Sequence, residues 1–169
     1  MSDNREWFDE FVAGRGPALL RFAYLLSGNH GLAEDLVQGA LVKAHRRWAG
    51  SPAADHPQAY VRRIITNDFT SWRRRAASRV GVGPVPDASY GDTADAVADR
   101  DLMWRALAGL PRRQRAVLVL RYYEHQSNAQ IAAVLGCAES SVRSLASRAF
   151  AALRRDPEIA ALETCEEWR

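Results

Sequence analysis

Cysteine is scarce in this 169-residue chain: Cys137 and Cys165 stand far apart and form no C-x-x-C spacing. Neither a disulfide framework nor a zinc site is therefore expected, and a reducing, cytoplasmic setting fits best. Apolar runs long enough for a signal peptide or a membrane span are missing, which leads to the expectation of a soluble intracellular protein without membrane insertion. Enzyme signatures are missing as well. There is no P-loop and no H-E-x-x-H, Gly81-Val82-Gly83-Pro84 is not a dinucleotide fingerprint, and His30, His45, His56 and His125 lack metal-ligand spacing. No catalytic residue, metal or cofactor is assigned, and the chain is not expected to be an enzyme.

Alternating strand patterns are also lacking, whereas apolar residues recur at helical spacing: Trp7, Phe8, Phe11 and Val12, then Leu19, Phe22 and Leu26. Ser27–Gly31 reads as a turn. The next helix runs to about Trp48, with Ala33, Leu36, Val37, Ala40, Leu41, Ala44 and Trp48 on its inward side. Gly50–Pro57 reads as a loop before a third helix, about Gln58 to Arg75, in which Tyr60, Phe69 and Trp72 are mixed with Arg62, Arg63, Arg73, Arg74 and Arg75. From Ala76 to about Ala98 the periodicity stops, and Gly81, Gly83, Pro84, Pro86 and Gly91 accumulate with Asp87, Asp92 and Asp95. Bulky apolar residues are too few there to offset ordering entropy, so a flexible acidic linker is expected. Helical signals resume at Asp99, with Leu102, Ala106 and Leu110 in one helix and, after Pro111, Val117, Leu118 and Leu120 in the next. The expectation is an all-α chain of two small domains, residues 1–75 and 99–155, with a linker at 76–98 and a tail at 156–169.

The net charge of +3 is modest, but basic residues cluster at Arg62–Arg79 and Arg143–Arg155. The second cluster lies in the last helix of a helix-turn-helix signal. Ser127 and Gln130 have the spacing of a capping box, Gly136 supplies a left-handed stop, and Cys137 and Ala138 lead into a helix from about Glu139 to Arg155. Ile131, Val134 and Leu135 are expected inward, as are Val142, Leu145, Ala149 and Leu153 of the second helix. Ser140, Ser141, Arg143, Ser144, Ser147 and Arg148 are left for the outer side, where arginine pairs with guanine edges or phosphates and serine with phosphates or bases. Taken alone, the motif favours DNA binding, with an ordinary αα-hairpin carrying a solvated basic face as the alternative.

Two strings resolve that choice: AEDLVQGALVKAHRRW, Ala33 to Trp48, and LPRRQRAVLVLRYYEHQSNAQIAAVLGCAESSVRSLASRAFAALRR, Leu110 to Arg155. Together they resemble the extracytoplasmic-function group of bacterial sigma-70-type factors, in particular the short sigma-E-like proteins of actinobacteria. The match spans nearly all of the chain except linker and tail, and both domains agree in order, spacing and length. The resemblance implies sigma region 2 at the N-terminus and region 4 at the C-terminus, and therefore core RNA polymerase and promoter DNA as partners. It implies that Asp35, Gln38, Val42 and Arg46, opposite the inward stripe of their helix, dock on the β′ clamp helices, and that region 4 meets the β flap. Tyr60, Arg62, Arg63, Asn67, Arg73, Arg74 and Arg75 would take the melted minus-ten strand, with Asn67 near a flipped base. Ser140, Ser141, Arg143, Ser144, Ser147 and Arg148 would read the minus-thirty-five element. The linker would run toward the RNA exit path, and an anti-sigma factor is a further partner that the resemblance leaves open.

Four positions depart from the common pattern of that group. Gly39 replaces a frequent carboxylate, Ser71 a frequent aspartate, Ala138 a capping serine and Leu145 an arginine. The competing reading is a dimeric operator-binding regulator, which would end in a similar helix-turn-helix but has no use for a docking helix beside a basic aromatic one.

Overall fold

The computed structural model describes residues 2–47, 56–76, 104 and 106–157. Among these, every regular element is helical, and the chain divides into two compact units, Met1–Asp87 and Ala88–Arg169. The expected positions of Trp48, the linker residues after Ala76, the first turn of the helix resuming at Asp99 and the tail beyond Pro157 lie outside the described residues.

The first unit packs α1 (Ser2–Ser27), α2 (His30–Arg47) and α3 (Pro57–Ala76) against one another. α1 is one continuous helix despite Pro17, which removes an amide donor from its interior. Tertiary contacts override that local break. Leu19, Phe22, Ala23 and Leu26 are completely buried, and Phe8 fixes the other half of α1 edge-on against His45 of α2, with ring centroids 5.0 Å apart. The α1–α2 turn is set by short-range chemistry. Gly28 adopts φ +64°, accessible without strain because it has no Cβ, and the Asn29 side-chain oxygen accepts from the Leu32 amide at 2.9 Å, capping α2. Pro57 begins α3 at the position where a missing amide costs nothing.

The inward stripe of α2 appears as Ala33, Leu36, Val37, Ala40 and Ala44, while Leu41 is only half-buried. On α3 the core face is Val61, Ile65, Thr66 and Phe69. Thr66 is fully buried, and its hydroxyl donates to the Arg62 carbonyl at 2.9 Å, so no polar atom of that side chain goes unmatched.

In the second unit, residues 106–108 are helical and Leu107 and Leu110 are buried. Pro111 then caps α4 (Arg112–Leu118), which passes directly into a π-helical turn, Val119–Tyr123. The sequence pattern carries no sign of that turn. Its Glu124 amide donates to the Val119 carbonyl at 3.2 Å, and the Gln126 amide to Leu120 at 3.0 Å. α5 (Asn128–Leu135) and α6 (Glu139–Leu153) complete the unit, and α6 packs on both α4 and α5. α6 ends near Leu153, slightly before the expected Arg155.

Its elements are short, and polar tethers join them. Arg115 is buried and donates to the carbonyls of Ala108 at 2.8 Å and Leu110 at 3.2 Å, with its guanidinium 5.5 Å from the centre of the Trp104 ring. Burial, and after it the charge of Arg112, push the Arg115 guanidinium down to about 10, which leaves it charged at neutral pH. Arg113 donates to the Leu135 carbonyl at 3.1 Å, closing the C-terminal end of α5, and Arg121 donates to the side chain of Asn128 at its start.

Candidate nucleic-acid interface

The helix-turn-helix forms with the anticipated local chemistry. Ser127 accepts from the Gln130 amide at 3.2 Å while the Gln130 side chain accepts from the Ser127 amide at 2.8 Å, and Gly136 takes φ +60°, ψ +46°. Each interaction satisfies a group that a helix end leaves open. Ala138 opens α6 in an extended conformation with no side-chain cap, so no hydroxyl or carboxylate of its own occupies the first amides of that helix.

The core side of α6 differs from the expected one. Val142, Ala146 and Ala149 are buried, while Leu145 and Leu153 are only partly covered. The large residues were the natural choice on hydrophobicity, but α6 packs on two helices at once and close approach favours alanine. Leu145 instead borders a concavity of ≈ 320 Å³ that is also lined by Arg113, Cys137, Ser140, Ser141, Ser144 and Arg148. On α5 the same shift occurs: Ile131, Ala132 and Leu135 are buried, and Val134 is half-buried.

All six outer residues expected on this helix are exposed. At about 100° per residue, Ser140, Ser144 and Ser147 form a central stripe with Arg143 on one flank and Arg148 and Ser141 on the other. The flanks differ chemically. Arg143 lies 3.8 Å from Glu139 in an exposed pair, whereas Arg148 shares the concavity with Arg113. Arg113, facing the turn from another helix, escaped the sequence reading because only the fold brings it there.

In the first unit, α2 presents Asp35, Gln38, Val42 and Arg46 to solvent on one contiguous face. Val42 is 52% exposed, making it one of the large apolar side chains in the described residues that the fold leaves uncovered. Gly39 lies beside this face, and a Cβ there would meet nothing within 4 Å.

On α3, Arg63 and Asn67 are exposed one turn apart, with half-buried Tyr60 next to them. Arg62 does not join this group. It points toward the core side, where its guanidinium sits 5.4 Å from the centre of the Phe22 ring. The Ser71 hydroxyl turns back onto its own helix, donating to the Asn67 carbonyl at 2.6 Å. The side chains of Trp72, Arg73, Arg74 and Arg75 lie outside the described residues. One interhelical contact of this unit was not anticipated: Lys43 of α2 donates to both carboxylate oxygens of Asp68 on α3 at 2.6 Å.

No described helix is long and apolar enough to cross a membrane. Residues 11–79 match the family model described as Sigma-70 region 2, and residues 100–153 that described as Sigma-70, region 4. The chain is 40% identical over 168 residues to the RNA polymerase sigma-E factor of Streptomyces avermitilis, covering 96% of this chain and 94% of that one. It is 37% identical over 157 residues to the ECF RNA polymerase sigma factor SigL of Mycobacterium tuberculosis, covering 89% and 86% respectively. Among solved structures it resembles the sigma factor RpoE of Bartonella quintana, solved in complex with the anti-sigma factor NepR. The TM-score is 0.68 at 28% identity, covering 92% of this chain and 98% of that one. With both helical units matched in order and relatives aligned almost from end to end, the chain belongs to the sigma-70 family, in its extracytoplasmic-function group.

Proposed function

We propose that this chain directs core RNA polymerase to specific promoters and helps open them, acting as an initiation factor without chemistry of its own. One observation supports this reading above all: the exposed face Asp35, Gln38, Val42 and Arg46 stands on the same small unit as the exposed Arg63–Asn67 stripe. A regulator that only binds an operator has no need for either. In this reading the α2 face docks on the β′ clamp helices, with Val42 the apolar centre of a polar rim.

α3 takes the melted minus-ten strand through Arg63, Asn67 and Tyr60, where arginine neutralises phosphate and an amide or ring receives an unstacked base. Arg73, Arg74 and Arg75 extend that basic track. Arg62 serves it indirectly, by holding α3 on Phe22. α6 reads the minus-thirty-five element, with region 4 on the β flap. The functional divisions are 1–75 and 99–155, joined by residues 76–98 and followed by the tail 156–169. Such a protein works in the cytoplasm, where the polymerase is. Because the similar RpoE was solved with an anti-sigma factor, a protein inhibitor covering some of these faces is part of the same proposal.

The test is to combine the chain with core polymerase and a library of promoter fragments and to sequence the run-off transcripts. Transcripts that start at a shared promoter pattern, and only when the chain is present, support the reading. Tight operator binding by the free chain with no effect on core polymerase would replace it with the dimeric regulator.

A further inference from the structure

Asp68 is the only acidic residue in the α3 sequence, a helix that contains five arginines. It follows directly after Asn67, at the border between the exposed stripe and the core face, and its side chain is 13% exposed. A bare carboxylate one position from Asn67 would repel a phosphate reaching that residue, because exposed charges act on one another over a screening distance of about 8 Å. The carboxylate is not bare. Both of its oxygens accept from the Lys43 ammonium at 2.6 Å, and Lys43 comes from α2, the helix that carries the outward Asp35–Arg46 face.

The pair is a poor candidate for a purely structural strut. Ion pairs with an exposed partner contribute little to stability, Lys43 is 45% exposed, and α2 and α3 already meet through buried apolar residues. Its larger consequence is electrostatic. We propose that Lys43 is a positioning residue for strand capture: by pairing with both oxygens of Asp68 it offsets a negative charge at the edge of the DNA-facing stripe. The inference rests on the function proposed above and adds to it a residue outside both contact faces.

The experiment uses holoenzyme assembled from core polymerase and the full chain. The probe is a promoter fragment recovered in the run-off selection, carrying an artificially melted minus-ten segment, with binding measured over a range of salt concentrations. If the selection recovers no promoter, the functional reading itself fails. Given a promoter, Lys43→Met should weaken binding about five- to tenfold by taking a counter-charge away from Asp68, with a salt dependence shallower by about 0.7 for one lost single-strand phosphate. Asp68→Asn should stay within about twofold of the unaltered chain, and adding it to Lys43→Met should restore binding to about that level.

A strut predicts a different pattern, in which Asp68→Asn is as damaging as Lys43→Met and the double variant does not recover. Either result overturns the proposal. Should Lys43→Met fail to fold, Asp68→Asn decides alone: retained binding supports masking, and a loss of fivefold or more overturns it.

Discussion

The two units hold their exposed helices in place by different means. In the first, three long helices bury large side chains such as Phe22, Leu26, Ile65 and Phe69, and α2 and α3 are positioned mainly by that apolar interior. In the second, α4, α5 and α6 are shorter, and arginines tie loop and helix ends together: Arg115 to Ala108 and Leu110, Arg113 to Leu135, Arg121 to Asn128. Short helices have a larger share of open backbone groups at their ends, so a compact helix-turn-helix depends on capping where a long bundle depends on area. The first unit should therefore be vulnerable to cavities and the second to lost donors.

The largest expected effect lies on the polar side of that contrast. Arg115→Ala leaves two carbonyls without their donor and removes the group that packs on Trp104, and should cost about 3 kcal/mol. Thermal unfolding followed by separate probes in the two units would show the second destabilised and the first unchanged. An undisturbed second unit would mean that its apolar residues hold it together without the arginine tethers.

Surface substitutions sharpen the comparison from the functional side. Asp35→Ala with Gln38→Ala should reduce affinity for core polymerase at least tenfold, about 1.4 kcal/mol, while helicity remains, because both side chains face solvent. Undiminished binding by a folded double variant would remove this face from the docking surface. On α6, Arg143→Ala should reduce discrimination among upstream sequences by about 1 to 3 kcal/mol, whereas Arg148→Ala should weaken all of them and lower the salt slope by about one. Identical behaviour of the two would contradict their placement on opposite flanks of the serine stripe.

The smallest effects are gains. Ala138→Ser supplies the missing cap of α6 and should stabilise the second unit by about 1 kcal/mol. In the first unit Gly39→Ala meets nothing within 4 Å and should add about 0.5–1 kcal/mol through helix propensity. Denaturant midpoints measure both. A neutral Ala138→Ser would show that the first amides of α6 are already satisfied, by water or otherwise.

Much of the fold was readable because the signals concerned are local. The capping box at Ser127 and Gln130, the left-handed Gly136, the turn at Gly28–Asn29 and the inward stripe of α2 each follow from residues a few positions apart. So does the exposure of Ser140, Arg143, Ser144, Ser147 and Arg148, because helical spacing assigns faces. What was misjudged depends on neighbours distant in sequence. Hydrophobicity alone favours Leu145 and Val134 as inward residues, but the interhelical spacing favours Ala146 and Ala132. The resemblance groups Arg62 with Arg63, yet the Arg62 guanidinium lies over Phe22.

The sequence by itself determined the helices, their caps, their polar faces and, through two extended motifs, the family. Hydrogen bonding within a few residues and the helical repeat set all of these before any packing occurs. Only the tertiary structure decided that α1 runs unbroken through Pro17, that Arg115 and Arg113 act as interior tethers, and that Lys43 meets Asp68. Those outcomes depend on which side chains come within a few ångströms of one another across the fold, where burial and Coulomb attraction act on distances that chain order does not encode.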